Sequence, residues 1–418
     1  MNKITVIGLG YVGLPLAIEF AKKYTTCGYD INKDRVEELK NGIDKTKEIE
    51  KNILLSSKLI FTTDKDKIKD SNVYIITVPT PIDESNNPNL SPLISATEVI
   101  GKLLNKNDIV IYESTVYPGC TENICVPILE KKSKLKFNKD FFCGYSPERI
   151  SPGDKNNTLT KIKKITSGSN LKAGKIIDKL YSSIIDAGTH LCSSIKVAEA
   201  CKAIENAQRD VNISFVNELA LIFDRLDIDT NEVLDAAATK WNFLHYKPGL
   251  VGGHCIGVDP YYLAHRAEEV GYYPEVILSG RAVNSRMSSF VAQKTIKLMI
   301  KKGIQTKGAK VLILGISFKE NCPDIRNSQV VRIYNELKDY GVHVDVVDPI
   351  ADDKEVKREF NIKLTPYDNI SSKYDGLIFA VAHNQFLKVN IHSYLKSKNS
   401  VLYDLKGVLK KEDSDARL

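Results

Sequence analysis

Three glycines, Gly8-x-Gly10-x-x-Gly13, follow a β-branched run and open a stretch of helical periodicity. Glycine at these spacings permits a tight turn, close approach of a pyrophosphate to backbone, and close helix–sheet packing. The free N–H groups and the dipole of the following helix then suit phosphate, with Tyr11 and Val12 inside the turn as cofactor-binding candidates. Asp30 closes the next strand, twenty residues beyond Gly10, with Arg35 shortly after it. A carboxylate there accepts hydrogen bonds from both adenosine ribose hydroxyls and repels a 2′-phosphate, which favours NAD over NADP. Val78-Pro79-Thr80-Pro81 and Glu113-Ser114-Thr115 each close a further strand. Thr80 and Thr115 could meet the nicotinamide half of a dinucleotide there, or serve ordinary turn chemistry.

The second constellation is Gly252-Gly253-His254-Cys255-Ile256-Gly257-Val258-Asp259-Pro260. Pro260 suits a first helical position and Asp259 an N-cap, so Cys255 lies just ahead of a helix start, where the dipole favours thiolate. Cys255 reads as a nucleophile or as a small apolar residue in a turn, and Asp259 as a pure cap or a catalytic group. A zinc site at His254-Cys255 would need further spaced ligands, and none is evident. Lys202, Asn206 and Arg209 share one helical face at i, i+4 and i+7. Such a face can stabilise an oxyanion, or it can be a solvated charged surface.

Strands alternating with helices must position these residues. Candidate strands are Ile4–Ile7, Thr25–Asp30, Leu59–Thr62, Val73–Val78, Ile109–Tyr112, Phe141–Tyr145 and Ile165–Gly168, with helical patterns such as Val12–Tyr24 and Pro92–Leu104 between them. That alternation predicts βαβ units and a parallel sheet. From Ser194 to Leu226 no Gly or Pro interrupts, and Val197, Ile204, Val211, Phe215, Leu219 and Ile222 recur at helical spacing. The expectation is one long helix that buries this apolar stripe, suited to a spacer or dimer spine. Helices are expected at Asn231–Thr239, Pro260–Val270 and Pro274–Lys302, and strands return at Val311–Leu314, His343–Val347, Leu377–Val381 and Val401–Tyr403. Lys410–Leu418 reads as a charged tail with no core pattern.

Composition narrows the class. In 418 residues the net charge is only +7, and most of the 59 cations are Lys, whereas forked phosphate contacts favour Arg. No nucleic-acid groove is indicated, and no apolar run approaches a membrane span. The start Met1-Asn2-Lys3 enters a strand pattern at once, and the 8 cysteines form no CxxC pair, so a cytoplasmic chain with reduced thiols and no membrane association is expected.

Taken together and in order, these residues resemble the nucleotide-sugar 6-dehydrogenases, the UDP-glucose/UDP-N-acetylmannosamine dehydrogenase superfamily, nearly end to end. Ser146-Pro147-Glu148-Arg149 and Phe318-Lys319 with Asp324-Ile325-Arg326-Asn327-Ser328 complete the resemblance. Within the superfamily, Tyr112–Thr121, Tyr145–Lys155, Lys240–Leu244 and Phe318–Ser328 look most like the Vi-antigen type of UDP-N-acetylglucosamine 6-dehydrogenases. Pro152 stands where the UDP-glucose branch usually has a second Glu, and Val258 where it has a Lys. The resemblance therefore points to a UDP-N-acetylhexosamine, UDP-N-acetylglucosamine first, with the galactosamine and mannosamine epimers as alternatives.

The resemblance implies an α/β fold of two Rossmann-like domains joined by a long central helix and a helical dimerisation domain. Residues 1–193 would bind NAD, 194–303 would carry the cysteine loop and a homodimer interface, and 304–418 would bind UDP. It also implies a four-electron oxidation of the sugar C6 alcohol using two NAD. Cys255 would capture the aldehyde as a thiohemiacetal and then form a thioester. Lys202 and Asn206 would stabilise the C6 oxyanion, Asp259 and Thr115 would hold a water, and Glu148 would assist thioester hydrolysis. Arg149, Ile150, Arg209, Gly249, Gly252 and Lys319 would contact the nucleotide sugar together with Glu148, Lys202 and Asn206, and Arg326 would reach NAD. Lys240 is a loose match to a cation that some relatives donate across the dimer. The product would serve capsule or O-antigen synthesis. Two other classes compete: a two-electron hydroxyacid-type dehydrogenase, and a non-catalytic NAD-sensing module. The first needs no nucleophilic Cys and no second Rossmann-like domain, so Cys255 and the C-terminal strands argue against it, and the second has no use for Cys255, Lys202 and Glu148 together.

Overall fold

Short β-branched runs and amphipathic helices alternate through both ends of the chain, and each end builds a parallel sheet. The computed structural model describes every residue except 1, 84, 151–156, 254–255 and 371–372. The chain divides into two compact units: Met1–Glu205 with Tyr261–Tyr272, and Asn206–Pro260 with Tyr273–Leu418.

The first unit holds six strands, β1 (Lys3–Ile7), β2 (Thr25–Tyr29), β3 (Ile60–Thr62), β4 (Val73–Ile76), β5 (Ile109–Tyr112) and β6 (Phe142–Tyr145). Their order is β3-β2-β1-β4-β5-β6, all parallel. β4 (VYII) and β5 (IVIY) are buried at every position. Unbroken apolar strands are what a sheet covered on both faces requires. The strand order reverses between β1 and β4, and ligands of open α/β sheets gather outside the strand carboxyl ends at such a switch point. Register brings Ile7 beside both Tyr29 and Ile76, so Gly8, Asp30 and Thr77 follow side by side at that edge. Two further strands, β7 (Lys164–Thr166) and β8 (Thr189–Leu191), pair in parallel.

The second unit holds β9 (Lys310–Leu314), β10 (His343–Val347), β11 (Gly376–Phe379), β12 (Val401–Asp404) and β13 (Ala416–Arg417), in the parallel order β10-β9-β11-β12-β13. Its first turn repeats the logic of the first sheet atom by atom. Gly8 (φ +93°) donates to Tyr29 O at 2.8 Å, and Gly315 (φ +94°) donates to Val347 O at 2.7 Å. Leu9 N and Ile316 N each donate to the Asp that ends the next strand, Asp30 and Asp348, both at 2.8 Å. Both glycines sit in the left-handed region that L side chains avoid. Both units are thus Rossmann-like.

Two expectations change. The charged segment Lys410–Leu418 is no free tail: β13 pairs with β12, and Leu418 is 3% exposed. One strand residue pair and one buried Leu are too short a pattern for periodicity to register. The long helix is present, at Ile195–Leu226, 32 residues. Its expected stripe is not its buried face: Val197, Ile204, Phe215 and Ile222 are each at least 44% exposed in the single chain. The buried face carries Glu199, Lys202, Asn206, Asp210, Ser214 and Asn217 among alanines. Small and polar residues let neighbouring backbone approach and bond this helix, so polarity there marks the inside. No helix among the described residues is long and apolar enough to cross a membrane.

Candidate active site

The glycine turn is closed by side chains from three neighbouring segments. Gly13 opens the helix Gly13–Ala21, and a Cβ there would stand 1.8 Å from Gly8 O and 2.3 Å from Thr77 Oγ1. Thr77 donates to Gly8 O at 2.7 Å, fixing the carbonyl that Gly13 must clear. Around Gly10 there is nothing within 4 Å of the Cβ position. That is the open cradle a pyrophosphate needs over backbone N–H groups. Asp30 accepts from Leu9 N at 2.8 Å and from Asn32 N at 2.9 Å, so its carboxylate is oriented at the end of β2. Arg35 Nε donates to Leu9 O at 3.0 Å and Nη2 to Asp44 Oδ1 at 2.8 Å, which braces the turn from behind. Against the effect of burial, hydrogen bonds from Thr46, Ile49 and Arg35 hold the Asp44 carboxyl below its ordinary range. Arg35 Nη1 is buried with no partner, a donor left over beside the turn. The open cradle and this spare donor fit a dinucleotide. Tyr11 and Val12 are half-buried in the turn.

The next two strand ends are tied together. Thr80 Oγ1 donates to Thr115 O at 2.6 Å, and Ser114 Oγ to Val78 O at 2.6 Å. Tyr262 OH donates to Thr80 O at 3.0 Å. Thr115 and Thr80 therefore stand side by side at the carboxyl ends of β5 and β4.

Glu148 follows β6 and is clamped at both oxygens. Oε1 accepts from Arg149 N and Ile150 N, each at 2.6 Å, and Oε2 meets Lys164 Nζ at 3.2 Å. Lys164 also reaches Glu113 Oε2 at 2.7 Å, and Tyr181 OH donates to Glu113 Oε1. Arg149 is drawn to Glu205 (2.8 Å) and to Lys163 O (2.8 Å), while Ile150 packs on the apolar core of this unit. Lys202 is buried, on the same face of the long helix as Glu199. Glu199 accepts from Gly119 N and Thr121 N, and burial pushes its carboxyl up to about 7.

In the second unit Asn206 Nδ2 donates to Asp259 Oδ2 at 2.5 Å, with Asp259 1% exposed at the start of the helix Asp259–Glu269. Asp259 is the first residue of that helix rather than its N-cap, and its carboxylate ties the helix start to the long helix. Cys255 and His254 lie outside the described residues. Gly249 exchanges two hydrogen bonds with the Asn217 amide, at 2.8 and 3.0 Å. A Cβ on Gly252 would stand 2.8 Å from Asn327 O, and Asn327 Nδ2 donates to Gly253 O at 3.2 Å, so this loop and 318–328 pack closely. Lys319 is half-buried in the second segment. Arg326 is held bidentate by Asp324 at 2.5–3.1 Å. Arg209 is exposed while Lys202 and Asn206 are buried, and Arg209 Nη1 donates to Asn206 Oδ1 at 3.5 Å.

Ser317, His383 and Asp348 form a buried group that superficially suggests a hydrolase triad. Ser317 Oγ (3.0 Å) and Asp348 Oδ2 (3.1 Å) both meet the same ring nitrogen, Nε2, while Nδ1 accepts from Asn321 N. A relay needs the two partners on opposite nitrogens. The group instead locks the loop after β9. Against burial, His383 and backbone N–H groups hold Asp348 well below the usual carboxylate range.

Sequence reasoning passed over Thr77, Asp44, Lys164, Tyr181 and His383. Each is a single polar residue within or after an ordinary element, with no local pattern to mark it.

Three family models match in order: the UDP-glucose/GDP-mannose dehydrogenase family NAD binding domain over residues 2–185, its central domain over 196–286 and its UDP binding domain over 312–411. A UDP-N-acetyl-D-glucosamine 6-dehydrogenase of Salmonella typhi is 56% identical over 421 residues, covering 100% of this chain and 98% of the relative. Protein CapL of Staphylococcus aureus is 51% identical, covering 99% and 98%. Among solved structures, the UDP-D-ManNAc dehydrogenase from Pyrococcus horikoshii superposes with a TM-score of 0.89 at 30% identity, covering 99% and 98%. Domain models in series along nearly the whole chain, with relatives above half identity end to end, establish that this chain belongs to the UDP-glucose/GDP-mannose dehydrogenase family.

Proposed function

We propose that the chain oxidises the C6 alcohol of a UDP-N-acetylhexosamine, UDP-N-acetylglucosamine first, to the uronic acid, for capsule or O-antigen polysaccharide. The observation that carries this reading is the Asn206–Asp259 hydrogen bond, which ties the long helix to the start of the helix that follows Cys255 in the chain. The full-length likeness to the Salmonella typhi relative supports the choice of sugar. Bound NAD would supply the hydride acceptor, used twice. Gly8–Gly13 and Asp30 would hold its pyrophosphate and ribose, with Arg35, Thr80, Thr115 and Arg326 as further contacts. Cys255 would add to the aldehyde, and Lys202 with Asn206 would hold the C6 oxygen as charge develops there. Asp259 and Thr115 would retain a water, and Glu148 would take a proton from the water that cleaves the thioester. Arg149, Ile150, Arg209, Gly249, Gly252 and Lys319 would contact the nucleotide sugar.

The division into 1–193, 194–303 and 304–418 belongs to the same reading, as does a cytoplasmic homodimer. The exposed apolar row Val197, Ile204, Phe215 and Ile222 on the long helix supports a second copy as its cover. Counting NADH against a panel of UDP-sugars tests the function. The expected result is two NADH per sugar, acid rather than aldehyde, and UDP-N-acetylglucosamine turned over fastest. One NADH with accumulating aldehyde would place the chain among two-electron dehydrogenases instead.

A further inference from the structure

Lys164 is an unusual place for a cation. It lies on β7 with 3% of its side chain exposed, between Glu113 (0%) and Glu148 (10%). Taking one ion pair out of water is already costly, and a third charge adds to that cost unless the site uses it. The pair Lys164–Glu113, with Tyr181 donating to Glu113, is complete without Glu148. Glu148 is nonetheless drawn in. Two backbone N–H groups fix its Oε1, and Lys164 fixes its Oε2. Of the three ions Glu148 keeps the largest share of surface, 10% against 3% for Lys164 and 0% for Glu113, so the cluster presents one carboxylate outward on a buried base.

We propose that Lys164, braced by Glu113 and Tyr181, is the positioning residue that keeps the Glu148 carboxylate aimed during cleavage of the thioester. The proposal rests on the reading of Glu148 given above. In that step a water oxygen adds to the acyl carbon and one water proton passes to the Glu148 carboxylate. The C–S bond breaks with its electron pair on the Cys255 sulfur, and the sugar leaves as its carboxylic acid. No electrons are exchanged with an outside group. Lys164 serves by its charge and its hydrogen bond and gives up no proton. Burial works against that charge, but the two carboxylates outweigh it and raise the Lys164 pKa above its ordinary value. Burial pushes the Glu113 carboxyl up, with Lys164 opposing and the charge of Glu148 adding to the rise, as expected when two acids share one cation.

The test compares three variants by intact mass and rapid mixing with NAD and UDP-N-acetylglucosamine. Lys164→Met alone would strand two buried carboxylates, so the cation is removed as Lys164→Met/Glu113→Gln, which deletes one charge of each sign. The double variant is expected to form its two NADH per site in a burst. It should then turn over about 10- to 100-fold more slowly, the worth of a hydrogen bond to a charged group, with a sugar-acyl adduct accumulating. Glu113→Gln alone keeps Lys164 on Glu148 and is expected to accumulate less adduct than the double variant. Glu148→Gln should give the same adduct. If Glu148→Gln traps adduct while the double variant turns over freely without it, the role of Lys164 is wrong and that of Glu148 stands. If Glu148→Gln traps none and turns over normally, the reading of Glu148 fails and the proposal with it. If the double variant loses the burst as well, Lys164 is structural and the proposal is overturned. Lys164→Gln/Glu113→Gln replaces the methionine pair if that pair does not fold. Failure of both to fold, while Glu113→Gln folds, equally makes Lys164 a packing residue.

Discussion

Gly10 and Gly13 are separated by two residues yet answer opposite questions. In Gly13→Ala the new Cβ would lie 1.8 Å from Gly8 O, against backbone, and 2.3 Å from Thr77 Oγ1. The carbonyl cannot turn aside cheaply, because Thr77 donates to it and Gly8 already holds φ +93°. The helix start must then move by about an ångström, an overpacking cost of about 1–3 kcal/mol or more, set against less than about 1 kcal/mol gained from alanine's helix propensity. At roughly 2–4 °C per kcal/mol for a unit of this size, the first unit should melt several degrees lower without any ligand. In Gly10→Ala the Cβ meets nothing within 4 Å, so melting without ligand should be unchanged. NAD affinity should nevertheless fall by at least about tenfold, because that open space is where the phosphates approach the N–H groups. Differential scanning fluorimetry with and without NAD, and titration of NAD by calorimetry, read both quantities. The reasoning is refuted if Gly13→Ala melts with the wild type, or if Gly10→Ala costs as much stability as Gly13→Ala.

Three further outcomes follow from other parts of the chain. NADP should give a kcat/KM at least about fivefold below NAD, since a phosphate about 4 Å from the Asp30 carboxylate costs about 1–4 kcal/mol; equal values would remove that role from Asp30. Burial pushes the Asp108 carboxyl up to about 6, against one hydrogen bond from Asn105 N. The native state then binds this proton more tightly than the unfolded chain, so its contribution is full below about pH 4 and is lost as pH rises through about 6. Urea midpoints of Asp108→Asn should fall less than those of the wild type across that range, and parallel curves would count against it. Leu418→Ala should lower the stability of the second unit by about 2–5 kcal/mol, because it empties a buried site; an unchanged melting curve would show that the C-terminal residues are not held in its core.

Much of this protein is written locally. The strand–turn–helix start, the Asp at the end of β2, the helix Ile195–Leu226 and the order of α/β, helical and α/β segments all follow from residues close together in the chain. Hydrophobic period, glycine spacing and cap chemistry act over a few residues, so they survive without knowledge of the fold. What sequence could not assign is where polar atoms end up when distant segments meet. The apolar row on the long helix faces outward in the single chain, and its buried side is Glu199, Lys202, Asn206, Asp210 and Asn217. Lys164 is one lysine among many until β7 brings it between Glu113 and Glu148, 51 and 16 residues away along the chain. Periodicity scores side chains by their cost in water, whereas a buried ion is tolerated only by partners that the chain supplies from elsewhere. That pairing is a property of the assembled sheet, and only the tertiary structure decides it.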